Sequence, residues 1–253
     1  MDALLVVAAV GAVVALVGFI VFLAQRQASA RRDALESVAQ QSGWSFAGDR
    51  VLLAALDIRE RFRLLSEGSS HRARNVMRMG EQRLRPERGA GGERRDAPPP
   101  SESERGWGPA STKNAEQVLI FDHQHTVGSG KHRHTRMQTV VHIRSPRLSL
   151  PPFVLSPEHA LHKIGGLLGY HDIDFPESPE FSSRYLLRSK EAEDRVRMLF
   201  HPAVRLFFEQ RPPLTVEGHD DELLIYRRQR RVKPEDVRLW VEDVQAIARQ
   251  LQT

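Results

Sequence analysis

The hydrophobic pattern changes character three times along the chain. Ala3 to Ala24 reads ALLVVAAVGAVVALVGFIVFLA, an apolar run with no charge and no proline. Wound as an α-helix at about 1.5 Å per residue, it spans ~33 Å, matching a hydrocarbon core of about 30 Å. From Arg32 to Gln41 the period becomes helical and amphipathic, with Leu35, Val38 and Ala39 on one side, and Gly43 is the expected stop. Trp44-Ser45-Phe46 opens a short strand, Val51 to Leu65 carries a second helical pattern (Leu52, Leu53, Leu56, Phe62, Leu65), and Ala73 to Met79 reads as a strand after the Glu67–Ser70 turn.

Beyond residue 117 the alternation is mostly β. Val118 to Thr126 and Arg133 to Ile143 are strands by length and β-propensity, joined as a hairpin through Val127-Gly128-Ser129-Gly130-Lys131. Pro146 to Pro157 is extended, His159 to Leu168 a short helix, Phe181 to Leu187 a strand, and Glu191 to Met198 a helix. Pro202 interrupts that helix before Val204 to Glu209 resumes it. Leu214 to Glu217 and Leu223 to Arg227 form a second hairpin around Gly218–Glu222. The last helix starts at Pro234 with Glu235 and Asp236 in its first turn, where acids suit the helix dipole. Val237, Trp240, Val241, Val244, Ile247 and Leu251 line its apolar face. Hairpins with interspersed helices predict an α+β fold: an N-terminal transmembrane helix followed by an antiparallel-sheet domain with helices.

Between Glu81 and Glu116 the periodicity collapses into Pro, Gly, Ser and charges, seven acidic and seven basic. Such a neutral polyampholyte buries too little apolar surface to offset its ordering entropy. The expected organisation is an anchor at 1–26, the first part of the α+β domain at 27–80, a disordered Pro/Gly/Arg-rich insertion at 81–116, and the remainder of the domain at 117–253. Trp107 is the insertion's one recruitment-type feature.

Composition narrows the chemistry. The chain has 253 residues and no cysteine, which excludes disulfides, thiolate metal sites and Cys nucleophiles. Its net charge of +5 comes from 37 basic and 32 acidic residues, and only Lys113, Lys131, Lys163, Lys190 and Lys233 are lysines. That Arg bias fits a GC-rich bacterial genome. Positive charge follows the apolar run (Arg26, Arg31, Arg32), which predicts an N-terminus outside a bacterial plasma membrane and a cytoplasmic body. Ala28-Ser29-Ala30 resembles a signal-peptide cleavage site. The acidic, unbasic start and the length of the apolar run favour a retained anchor. Gly11 and Ala15, with Ala8 and Gly18 near the same face, form a small-residue stripe through which two anchors could pair as a homodimer.

The order of these features resembles a family of uncharacterised bacterial single-pass membrane proteins, a domain of unknown function. The resemblance lies in the anchor, Gly43-Trp44-Ser45-Phe46, the Val118–Asp122 strand followed by Gly128-Ser129-Gly130, and Gln138-Thr139-Val140-Val141. Leu150-Pro151-Pro152-Phe153, Phe181–Tyr185 and Arg195–Phe200 complete it. These are packing and turn motifs, so the resemblance implies a fold and carries no reaction with it.

Two constellations are candidates for chemistry. His123 and His125 lie on the first hairpin strand, His132 and His134 on the second. With Gly128-Ser129 as a two-residue loop, His125 faces His132 and His123 faces His134, so four imidazoles share one side. An HxH strand pair plus a neighbouring-strand His resembles the ligand arrangement of carbonic anhydrases; zinc or another transition metal held by three of them with an open water position would make a hydrolytic or hydration catalyst, the alternative function. A longer loop shifts the register and scatters the set; a solvated His-rich face is the alternative. Arg227, Arg228, Arg230, Arg231 and Lys233 form the densest basic run. On a tethered domain the nearest anionic partner is the headgroup layer; nucleic acid is disfavoured because only Tyr226 offers a stacking ring. Gly128-Ser129-Gly130-Lys131 fails as a phosphate loop, since His125 and His132 stand where Gly and Ser/Thr are required. The acids Asp172, Asp174 and Asp220-Asp221-Glu222 read as solvated turn residues. The expected role is a membrane-tethered interaction or accessory domain, non-enzymatic and without a cofactor, whose partner the sequence does not name.

Overall fold

The computed structural model describes residues 2–49, 58, 61–79, 116–158, 169–190 and 193–252, with side chains of the first helix from Val10 onward. The Glu81–Glu116 insertion up to residue 115, most of the Val51–Leu65 pattern and the His159–Leu168 helix lie outside these residues.

Helix α1 runs without a break over Asp2–Gln41, a length of ~60 Å. It is exposed from Val10 to Ala30 and is long and apolar enough to cross a membrane. Gly43 ends it in the left-handed region (φ 69°), with the Trp44 N–H donating to Ala39 and the Gly43 N–H to Gln40. Those paired bonds satisfy the last carbonyls and require a residue that tolerates positive φ.

Among the described residues nine antiparallel strands form one sheet in the order β1-β2-β3-β4-β9-β8-β5-β7-β6. In chain order these are β1 Ser45–Gly48, β2 Ser69–Met79, β3 Gln117–Val127, β4 His134–Arg144, β5 Leu150–Pro157, β6 His171–Ile173, β7 Tyr185–Ser189, β8 Thr215–Asp220 and β9 Glu222–Tyr226. Helices α2 Arg63–Ser66, α3 Pro179–Arg184, α4 Glu193–Leu199, α5 Pro202–Glu209 and α6 Val237–Gln250 complete the described set. The α+β expectation holds, down to the buried face of α6.

Neighbouring residues in the central strands point to opposite cores. Ile120, Val141 and Ile225 join Leu35 and Ala39 of α1, Phe200, Phe208 and α6. Phe121, Val140 and Leu224 join Ile58, Phe62, Leu64 and Leu65 on the other face. A sheet covered on both sides explains why these strands read as continuous apolar runs.

Three expected elements are corrected, while the extended Pro146–Pro157 segment holds as strand β5. Phe181 lies in α3, because Pro179 and Glu180 start a helix there, and the strand begins only at Tyr185. Phe62 is extended (φ −114°, ψ 133°), so no helix passes through it to Leu65; α2 is a single turn. Gly218, His219 and Glu222 belong to strands, leaving only Asp220-Asp221 as the turn, with Asp220 at φ 53°. Glu222 is therefore buried rather than solvated. β5 is an interior strand despite its prolines; Pro151 and Pro152 fall in the register shift between Leu150 and Phe153, where the ladder to β8 is interrupted.

The first hairpin is the fourth correction. Gln117 pairs with Arg144 and Val127 with His134, so the connection is a six-residue loop with a 3₁₀ turn at Gly130–His132. Gly128 sits at φ 81°, and an added Cβ would fall on the His132 carbonyl oxygen. Gly128→Ala is expected to cost at least ~1 kcal/mol from the left-handed conformation alone, read as a lower unfolding midpoint.

Candidate functional site

The region where α1 leaves its apolar segment and meets the sheet concentrates the buried charge. Arg31 lies seven residues past Ala24, about 10 Å along the axis. Its guanidinium grips Asp122 of β3 with both ends of the fork, Nε at 2.7 Å and Nη2 at 2.8 Å. Nη2 also reaches Thr139 Oγ1 of β4 at 3.3 Å, and Nη1 donates to the Val232 carbonyl at 2.9 Å. Asp122 is 2% exposed and accepts two further bonds, from Thr139 Oγ1 at 2.8 Å and Asn75 Nδ2 at 3.0 Å. A bidentate, fully hydrogen-bonded pair of this kind holds the helix to the domain with a fixed orientation.

Val232 belongs to the basic run, and the same network folds that run against β4. The Gln229 N–H donates to Gln138 Oε1 at 2.9 Å, the Thr139 N–H to the Arg230 carbonyl at 3.1 Å, and the Val232 N–H to Thr139 Oγ1 at 2.9 Å. The five basic residues then divide. Arg228 is engaged by Glu67, which also takes Arg136. Arg227 stacks on Trp240 with its guanidinium carbon 4.4 Å from the ring. Arg230, Arg231 and Lys233 are exposed. All but Arg228 line an open cleft of about 690 Å³ together with the buried Trp240, the exposed Leu239 and the acids Asp236 and Asp243.

The observed register separates the four histidines. His123 faces Gln138 and His125 faces Arg136, while His132 and His134 are exposed at the hairpin tip. The longer loop is the cause: four extra residues, Gly130 to Arg133, all on the β4 side, leave His132 in the loop and His134 opposite Val127 at the end of the first strand. His71 of β2, which sequence reasoning overlooks, completes a buried column instead. Its ring stacks 5.4 Å from His123 and 5.8 Å from His125, and those two lie 4.8 Å apart. His71 Nδ1 meets His123 Nε2 at 3.2 Å, whereas His123 Nδ1 and both nitrogens of His125 find no hydrogen-bond partner among the described residues. Near-parallel rings aim their nitrogens side by side rather than at a common point. Among the described residues no three His, Asp or Glu side chains are placed to hold a metal ion. Burial, helped by the neighbouring histidines, pushes His123 down to about 3; burial likewise takes His125 to about 4, against the pull of Glu67.

Two buried carboxylates sit further along the same face. Glu217 accepts the Arg63 N–H at 2.6 Å, the Leu64 N–H at 3.2 Å and the Tyr226 hydroxyl at 2.8 Å, and burial raises its pKa despite these bonds. It caps α2 and so pins the segment that covers this face. Glu222 is paired with Arg61 at 2.9 Å, with Arg144 and with His142. Burial alone would raise it, but the neighbouring His142 and the guanidinium groups of Arg144 and Arg61 together hold it at about 2.

Fold and site together define a class: a single-helix membrane-associated protein whose antiparallel sheet domain is bonded directly to the base of its helix. No family model matches the sequence, and no curated protein matches it. Among solved structures the chain is similar to the crystal structure of the mycobacterial trehalose monomycolate transport factor A, TtfA, with a TM-score of 0.51 at 14% identity, covering 89% of this chain and 92% of that one. At that identity the likeness speaks for the fold.

Proposed function

We propose that this chain is a membrane-tethered accessory domain, its body on the cytoplasmic face of a bacterial plasma membrane, acting by binding rather than by turnover. The observation that carries the reading is the Arg31 clamp. A domain on a flexible leash needs no bidentate bond between the root of its anchor and the middle of its sheet; a domain presented at a fixed height and angle does. The Val232 bond fixes the basic run in the same step, so Arg230, Arg231 and Lys233 stand at the headgroup layer, each contributing about 1 kcal/mol toward an anionic surface. The similar solved structure is that of a transport factor, which agrees with an accessory role beside other membrane components.

The absence of native cysteine permits a direct test. Ser149 is exposed and follows β4 at the end opposite the β3–β4 hairpin loop. A single cysteine placed there is expected to react with a membrane-impermeant maleimide in inverted vesicles and to be protected in right-side-out ones, with the protein resisting carbonate extraction. Labelling in right-side-out vesicles, extraction by carbonate, or a fold-dependent turnover by the purified full chain would each overturn the reading.

A further inference from the structure

We propose that the tip of the β3–β4 hairpin, Ser129 to His134, is a second bilayer-contacting element that lays Lys131 and Arg133 on anionic headgroups; the inference rests on α1 crossing the membrane. Two contacts orient the sheet against α1. At the root of the apolar segment, Arg31 bonds Asp122. At the other end of the docked stretch, Gln41 and Met79 line one cleft, Ser45 pairs with Arg78, and these β2 residues pair with Val118 and Leu119. Passing from Gln41 back to Arg31 on the helix therefore corresponds to passing from Val118 to Asp122 on β3. Helix and strand progress in opposite directions, and everything beyond Asp122 on β3 lies on the bilayer side of Arg31.

The reach is sufficient. Val127 is five residues past Asp122, ~17 Å of strand at about 3.4 Å per residue. Even with the strand inclined ~45° to the helix axis, this is a gain of ~12 Å toward the membrane, comparable to the ~10 Å separating Arg31 from the end of the apolar run. The loop then adds six residues held in one shape by the His132 N–H to Ser129 carbonyl bond at 3.1 Å and by Gly128. Lys131, His132, Arg133 and His134 are all exposed on it. Arg72, exposed and paired opposite Gln124, adds a cation on the same side of Asp122. Half-buried Glu67 is already matched by Arg136 and Arg228. What the tip presents to the bilayer is positive charge that no acidic side chain among the described residues pairs with, and the complementary surface is a layer of phosphate-bearing anionic headgroups.

The test uses the full chain in proteoliposomes of phosphatidylcholine with or without about a third phosphatidylglycerol, a fraction giving surface potentials in the range where basic residues bind. Single-cysteine variants at Ser129, Ser149 and Leu16 carry one fluorophore, and a quencher is attached to lipid headgroups. The Ser129 probe is expected to be quenched at least twofold more than the Ser149 probe in anionic vesicles. K131E/R133E should abolish the difference without moving the unfolding midpoint, as should high salt. Equal quenching at Ser129 and Ser149, with Leu16 shielded from an aqueous quencher, would overturn the tip contact while leaving the tether intact. Equal quenching of Ser129 in neutral and anionic vesicles would overturn the headgroup-charge component. A Leu16 probe open to the aqueous quencher would remove the tether, and the tip contact with it.

Discussion

Arg31→Ala is expected to destabilise the folded chain by about 3 kcal/mol, because it strips the counter-charge from a carboxylate that is buried among sheet residues. Asp122 would keep its bonds from Thr139 and Asn75, but neutral donors offset only part of the cost of holding a charge away from water. Arg31→Lys keeps the charge and loses the fork, so an intermediate loss is expected. Replacing both partners, R31M/D122L, removes the buried charge altogether and should recover most of the stability. That double variant separates stability from positioning: the domain would be sound, yet no polar bond would tie the helix to Val232. Denaturant unfolding of the four proteins in one detergent, followed by tryptophan fluorescence, decides the matter. An Arg31→Ala protein within ~0.5 kcal/mol of wild type would mean the pair is solvated in practice and sets no height or angle.

The anchor, the strand runs and the apolar face of α6 are legible in the sequence because each is a local pattern of one period. The clamp is not, although one signal exists. Asp122 alternates with Val118 and Ile120 and so shares their buried side, and an acid at such a position demands a partner. Nothing local says that the partner stands 91 residues away on the membrane helix. The histidine set fails for a different reason. Its assignment hangs on loop length, and Gly128-Ser129-Gly130 is compatible with either a tight or a wide turn. Only the wide turn lets the whole of β4 pair with β3, from Arg144 back to His134. His71 belongs to a strand that joins β3 across the Glu81–Glu116 segment, a pairing that sequence distance conceals. Glu222 escapes a reading by composition because Gly218-His219-Asp220-Asp221-Glu222 is turn-like throughout, whereas the turn needs just two of those residues.

Acidification is expected to weaken the fold steadily from pH ~6.5 downward, and the buried histidine column is the cause. In an unfolded chain a histidine takes up its proton near pH ~6.5, whereas in the fold burial holds His123 at about 3 and His125 at about 4. Between those limits the unfolded state binds protons that the folded state refuses, so stability is fully present above pH ~6.5 and is lost as pH falls. With both groups protonated only when unfolded, the slope approaches ~2.7 kcal/mol per pH unit near pH ~5, a loss of several kcal/mol before the folded rings begin to titrate. Glu222, held at about 2, works in the same direction from pH ~4.5 down. Glu217 opposes it, since a carboxyl whose pKa is raised by burial loses stability as pH rises past ~4.5; one such group does not outweigh two histidines. Glu67, Arg136 and Arg228 face His125 from the neighbouring elements. The variant H123L/H125L removes the titration and the unpartnered ring nitrogens together. It should match or exceed wild-type stability at pH ~7.5, and its urea midpoint should change little down to pH ~5 while the wild type's falls steeply. Parallel pH profiles for the two proteins would place the acid-sensitive protons elsewhere.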